Sequence, residues 1–293
     1  MMKIMKKSII KIITLTIVLV FVNNIQAQQD PNFSLYNFNM NMLNPAYAGS
    51  VESKGITLAY RNQWLGFPGS PKSISASYSW NTRKKLGLAV NVYSHKFFIT
   101  DRVNFSADIS YNVQLEEETK LYFGLKVGGA SFKIDFSKIQ TTVSDPNFSE
   151  SKNSFNTHLG FGLYLVNSNY YISASTPNFI KEDIGENNIS ENTNFYIGGG
   201  YHFNLNENLT LTPRVMMGIL GSYDNTFDIG ASLEMFKKIT LGSNYRVNEI
   251  IAFYGLVDVI KDVTFGLSYD FTTSNLNTVS DNGSLDIILK YKF

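Results

Sequence analysis

His95, His158 and His202 are the histidines of this sequence, the residue type first considered as general base or metal ligand. They lie far apart in the chain, and no second ligand stands at close spacing to any of them, so they make no metal motif. Hydrolysis would need a nucleophile, a base and an orienting group within reach of one another. Ser and Asp are plentiful, but none sits in a recognisable catalytic setting. With no Cys, a thiol nucleophile, a thiolate zinc site and a disulfide framework are all ruled out. Asp281-Asn282-Gly283-Ser284 shares a fragment of a calcium loop but lacks the other ligands and the closing Glu, so it reads as a turn. Gly198-Gly199-Gly200 is not followed by a helix whose amides would hold a phosphate. The expectation is therefore a non-enzymatic protein with no metal and no cofactor.

The elements around these residues explain more. The 293 residues are 44% hydrophobic, 14% aromatic and only 17% charged, against about 25% charged in ordinary soluble domains. A pI near 7.8 lacks the basic footprint of a nucleic-acid binder. A mean hydropathy of -0.08 argues against a bundle of membrane helices. It is compatible with a membrane β-barrel, in which only alternate residues face lipid.

Residues 1–27 have the three parts of a signal peptide: a basic start with Lys3, Lys6, Lys7 and Lys11, an apolar run from Ile12 to Val22, and Ile25-Gln26-Ala27 before the expected cut. The apolar run is shorter than the about 20 residues a membrane helix needs. Removing four lysines leaves 21 basic against 24 acidic residues, so the exported chain is mildly acidic.

From residue 55 onward the sequence alternates apolar with polar. Val103, Phe105, Ala107, Ile109, Tyr111 and Val113 are interleaved with Asn104, Ser106, Asp108, Ser110 and Asn112. Fourteen such segments can be marked, mostly near the length of a tilted membrane strand. Their connections divide into short polar links, such as Asn81–Lys85 and Glu116–Lys120, and mostly longer ones, such as Asn62–Pro71, Lys96–Arg102 and Phe132–Ser154. Asn248–Ile250 is the short exception in the second set. Turns on one side and loops on the other is the topology of an outer-membrane barrel, and the aromatic end at Phe293 suits a closing strand.

The predicted fold is thus all-β: a transmembrane antiparallel outer-membrane barrel of about 14 strands over residues 55–293. With the apolar parity facing lipid, Arg61, Asp108, Lys126, Arg214, Asp228 and Asp286 all face the lumen, as do Glu234, Arg246, Asp258, Asp270, Lys290 and Lys292. Gly198–Gly200 then reads as tight lumen wall, and Pro213, on the apolar parity, predicts a bulge. Tyr60, Tyr78 and Trp80, near strand ends, read as interfacial belt.

Residues 28–54 have no clean period, yet Phe33, Leu35, Tyr36, Phe38, Met40 and Met42 are too apolar to hang in water. Asn44-Pro45 is a turn signal and Gly49 a flexible exit. Two readings stand side by side: an extra strand or periplasmic cap, or a plug inside the lumen.

The stretch QQDPNFSLYNFNMNMLNPAYAGS resembles the N-terminal hallmark of the PorP/SprF family of Bacteroidetes outer-membrane proteins. The matching residues are Gln29, Asp30, Pro31, Phe33, Ser34 and Tyr36, then Asn44, Pro45, Ala46, Tyr47, Ala48 and Gly49. A second match is Tyr60-Arg61-Asn62-Gln63-Trp64, leading to Pro71-Lys72, and a weaker third is Ser175-Thr176-Pro177-Asn178. The resemblance implies a barrel of the type IX secretion system or gliding motility machinery, whose partners are outer-membrane lipid and a cognate secreted adhesin or other secretion components. It singles out Asn44, Pro45, Tyr47 and Gly49, with Arg61, Asn62, Gln63 and Trp64, as candidates for holding a plug or loop or meeting a partner. The alternative is a porin-like channel for small solutes, which the mixed charge and small residues of the lumen leave open.

Overall fold

The computed structural model describes residues 33–50, 54–82, 85–138, 151–180, 182–184, 189–191, 193–221, 224–273 and 282–293. The expected signal peptide lies outside the described residues.

The strands run β1 Gly55–Asn62, β2 Lys72–Asn81, β3 Leu86–Phe97, β4 Thr100–Gln114, β5 Lys120–Ile134, β6 Lys152–Val166 and β7 Tyr170–Thr176. A small hairpin follows, β8 Glu182–Ile184 with β9 Ile189–Glu191. Then come β10 Asn194–Tyr201, continued by β11 Phe203–Asn206, and β12 Leu209–Leu220, β13 Thr226–Met235, β14 Ile239–Arg246, β15 Ile250–Ile260, β16 Val263–Thr272 and β17 Ser284–Tyr291. Apart from the hairpin, every strand pairs antiparallel with its neighbour in the barrel, and β17 returns to β1. Counting β10 and β11 as one, fourteen strands close the barrel. Closure leaves no open edge, as the hydrocarbon of a membrane demands.

The alternation read from the sequence is the alternation of burial. In β1, Gly55, Thr57, Ala59 and Arg61 are buried while Ile56 and Leu58 are exposed. The exposed set continues around the wall through Ile74, Val92, Phe105, Leu125, Ile197 and Phe253. A continuous apolar belt of this kind suits lipid, not water. Tyr78 stacks on Trp80 at 4.8 Å, and the Phe293 ring lies 5.7 Å from Tyr78 and 6.1 Å from Tyr291, an aromatic girdle at the turn side.

Two expectations are corrected. Lys96–Arg102 is not a long loop: β3 and β4 are joined by a two-residue turn at Phe98 and Ile99, with Phe98 at φ 50°. The charged residues that looked like loop lie in the ladder, Lys96 opposite Asp101 and Arg102 opposite His95. Pro213 makes no bulge, for it stays in register opposite Ala231 of β13. Its effect is on the other side, where pairing with β10 stops at Gly200–Arg214 and resumes at Phe203–Leu211 of β11. A residue without an N–H interrupts the ladder there.

The hydrophobic core lies inside the barrel. Residues 33–50 form three single 3-10 turns, Tyr36–Phe38, Met40–Met42 and Pro45–Tyr47, surrounded by the lumenal wall. Phe33 and Leu35 pack with Ala59, Tyr93, Tyr254 and Ile288 on one side. Tyr36, Met40 and Tyr47 pack with Tyr122, Tyr164 and Met216 on the other.

Candidate functional site

The lumenal segment is held at its C-terminal end by backbone geometry. Asn44 caps the last 3-10 turn, its Oδ1 accepting the Ala46 N–H at 2.9 Å, and Pro45 occupies the first position of the turn, where no N–H is needed. The Asn44 amide also donates to the Leu163 carbonyl at 2.9 Å and to Ser173 Oγ at 2.8 Å. One side chain thus shapes the segment and joins it to β6 and β7. Tyr47 meets Tyr164 edge-to-face at 5.2 Å. Gly49, at φ +68°, donates its N–H to Ser79 Oγ at 3.0 Å. Ser110 Oγ donates to the Ala48 carbonyl.

The wall beneath this turn is a row of small residues. Gly87, Ser110, Gly124, Gly162 and Ser175 stand directly opposite one another across β3, β4, β5, β6 and β7. A Cβ on Gly87 would collide with the Ala48 carbonyl, one on Gly124 with the Pro45 and Ala46 backbone, and one on Gly162 with the Asn44 side chain. The segment fits the wall because those side chains are missing.

The N-terminal end is held by charge. Arg61 lies directly opposite Asp286 across the β1–β17 seam, with Nη1 2.6 Å from Asp286 Oδ1 and 2.8 Å from Asp270 Oδ2. Ser34 completes the ring: its N–H donates to Asp286 Oδ2 at 2.6 Å and its Oγ to Asp270 Oδ2 at 2.8 Å. Midway, Lys126 Nζ donates to the carbonyls of Asn41 and Met42 at 3.1 and 3.3 Å and lies 3.6 Å from Asp108, its cross-strand partner. Asn39 donates to Ser75 Oγ at 3.0 Å.

A third buried pair, Arg246 with Asp228 at 3.1 Å, lies opposite across β13 and β14, and Arg214 bonds the Tyr254 hydroxyl. Tyr36 sits in the field of this group. Burial, with Asp228 adding to it, pushes its phenol well above the ordinary range, so it stays neutral. Desolvating a charge is costly unless it is paired, and all three pairs meet that condition by register.

The singled-out residues therefore fall into two groups. Asn44, Pro45, Tyr47 and Gly49 sit on the small-residue row, and Arg61 joins the same assembly at its other end. Asn62 ends β1, and Gln63 and Trp64 open the loop between β1 and β2. There the Gln63 N–H donates to the Pro71 carbonyl at 2.9 Å, and Asn62 Oδ1 accepts from Ser70 Oγ at 3.4 Å. The Trp64 ring lies 6.1 Å from Phe97 and 6.4 Å from Phe67, edge-to-face with both. Of the histidines, His95 bonds Ser73 and His202 bonds Thr212, each at 2.9 Å. No cluster of potential metal ligands is present among the described residues.

The model of the type IX secretion system membrane protein PorP/SprF matches residues 25–291. The chain belongs to the PorP/SprF family. Within that family it is an outer-membrane barrel associated with type IX secretion. No curated protein matches it. Among solved structures, it resembles a deletion mutant of the TodX monoaromatic hydrocarbon channel, with 10% identity over 85% of this chain and 93% of that one and a TM-score of 0.51. The Ralstonia pickettii toluene transporter TbuX is similar at 10% identity, 85% and 91% coverage and a TM-score of 0.49. Acinetobacter baumannii Omp33 is similar at 8% identity, 82% and 98% coverage and a TM-score of 0.48. At such identity the TodX likeness speaks for the barrel fold alone.

The PorP/SprF hallmark thereby acquires a physical content: its Asn-Pro-Ala-Tyr-Ala-Gly element is the part that lies on the glycine row. Sequence reasoning placed Lys126, Asp270 and Asp286 in the lumen but did not connect them to residues 33–50. Parity alone puts Gly124 and Gly162 on the lumenal face, where missing side chains leave room for a plug, but it does not show that they stand in one row. The available signal was a small residue on the lumenal parity of successive strands, legible only once register is known.

Proposed function

We propose that this PorP/SprF protein is a closed barrel whose lumen is plugged by residues 33–50, and that it serves type IX secretion by docking or anchoring a cognate secreted adhesin at the cell surface. The observation that carries the reading is the occupied lumen: the segment is tied to β1, β16 and β17 through Ser34, to β5 through Lys126, and to β6 and β7 through Asn44. A plug fixed by hydrogen bonds and buried ion pairs removes the aqueous path a porin needs. With the N-terminus entering from the periplasm, the loop side faces outward, and the loop at 63–71, tied back to the barrel, offers a fixed surface for a protein. The adhesin follows from the family's association with secretion and gliding.

The alternative, a channel for small solutes, predicts a different measurement. In planar bilayers the purified protein should show no steady large conductance, and deletion of residues 33–50 should create one. From detergent extracts, the intact barrel should copurify with a large surface protein secreted by the type IX route. A steady conductance from the intact barrel, with no such partner, would overturn the proposal.

A further inference from the structure

Charge on this barrel is sorted mostly inward; Lys72, Lys96, Asp101 and Lys133, all at one rim, depart from that rule. Lys72 shares the outward parity of Ile74 and Tyr78, and Lys96 that of Val90 and Val92. A lysine on the lipid-facing parity is costly at mid-depth and tolerated only near the interface. Both residues stand at the loop-side rim. They are also directly opposite each other in the β2–β3 ladder. Like charges opposed on neighbouring strands repel.

The nearest counter-charge does little to relieve this. Asp101 lies 3.9 Å from Lys96, and the two side chains are 32% and 68% exposed. Such an exposed pair is weak. Among the described residues no carboxylate lies within ion-pair distance of Lys72.

The two lysines share a cleft of about 500 Å³ between the 63–71 loop and the β3–β4 turn. Its other walls include Asn62, Phe67, Pro68 and Phe98, and among the described residues no acidic side chain lines it. The walls are fixed: the Phe98 N–H donates to the Gly69 carbonyl at 3.0 Å and the Ser70 N–H to the Phe67 carbonyl at 3.1 Å. Because Asn62 Oδ1 accepts from Ser70, its amide nitrogen is a third donor beside the two ammonium groups.

We infer that this cleft binds the phosphate headgroup of an acidic outer-leaflet lipid. Two ammonium groups and an amide, with no competing carboxylate among the described lining residues, match a phosphate. The lipid source follows from the face on which the cations stand. Below Lys72 and Lys96 on the same parity lie the exposed Ile74 and Val92, so a headgroup held in the cleft sets its acyl chains on the apolar belt. A free anion would have no use for that continuity.

The test uses the full-length protein in detergent, diphosphorylated lipid A as probe, and native mass spectrometry to count retained lipid. Each lysine near an anionic group is worth about fivefold in binding, so the K72A/K96A variant should retain lipid A at least about tenfold more weakly than wild type. K237A, at an exposed turn on the opposite side, should bind as wild type does. Heat-modified migration on gels shows that each variant is folded. Equal retention by the folded double variant overturns the inference, as does equal binding of dephosphorylated lipid A. Displacement of lipid A by inorganic phosphate, or by an acidic peptide, at matched concentration overturns the lipid assignment.

Discussion

Arg61 and Asp286 face each other across the seam that closes the barrel, 2.6 Å apart, and both hydrogen-bond Ser34 of the lumenal segment. Closure of the barrel and retention of the segment are thus one interaction. Removing one partner of a buried pair strands the other charge and costs about 3–5 kcal/mol. R61A leaves two carboxylates, Asp270 and Asp286, without their cation. Its urea midpoint in detergent micelles should drop sharply, while S34A, which removes only the hydroxyl, should cost about 1–2 kcal/mol. The double variant should lose less than the sum, because both act on one ring. Additive losses would mean that seam and segment are independent.

Lys126 offers a cleaner separation. It neutralises Asp108 and donates to two carbonyls of the segment. K126A should destabilise the barrel and expose the segment to protease. Adding D108N removes the stranded charge and should recover most of the stability, yet the carbonyls of Asn41 and Met42 remain without their donor. The expected pattern for K126A/D108N is near-normal unfolding with persistent protease sensitivity at the segment. Recovery of both together would show that the Nζ contacts to the carbonyls hold nothing.

How much of this was legible in the sequence depends on range. Asp108 and Ile109 could be assigned to opposite faces because strand alternation is a local property. Asn44-Pro45 could be read as a turn for the same reason. The meeting of Arg61 with Asp286 was not legible, since it joins the two ends of the barrel and requires closure with the right register. The two-residue turn at Phe98 was missed because Lys96 and Asp101 look like loop residues until they are seen as a cross-strand pair. A bulge at Pro213 is the wrong expectation, because which of its two neighbours loses pairing depends on where the missing N–H points. The placing of residues 33–50 against the lumenal wall also depends on a long-range fact: the small residues on five strands fall in one row.

That row makes a steric prediction. Valine at Gly124 or Gly162 would put a side chain where the backbone of Ala46 and the Asn44 amide lie. The outward face and the strand ladders are untouched, so the barrel should still insert and show normal heat-modified migration. The lumenal segment should be displaced, seen as protease cleavage within 33–50 and as conductance in planar bilayers. G255A is the control, since a Cβ at Gly255 meets only the flexible end of Leu241 at 3.3 Å and a carbonyl at 4.0 Å. A silent bilayer and an intact segment in G124V would show that the row is not what seats it.

Trp64 distinguishes the outer loop from the lumen. Its backbone sits at φ 51°, an unfavourable region for a large side chain. Its N–H donates to Ser284 Oγ at 3.3 Å, and the Leu65 N–H to the Gly283 carbonyl at 2.9 Å, so the loop is fastened to the start of β17. The indole covers Phe67 and Phe97. W64A keeps the strained backbone and removes the ring, which should loosen residues 65–70 and raise proteolysis there. The ring's contacts among the described residues, Phe67 and Phe97, lie at the loop-side rim away from residues 33–50, so conductance should stay closed, whereas R61A should loosen the segment and leave the loop's own bonds in place. If the fixed loop presents the surface that docks an adhesin, W64A should lower adhesin display on cells at normal barrel levels. Unchanged display in W64A, together with lost display in R61A, would move the docking surface from the outer loop to the plugged lumen itself.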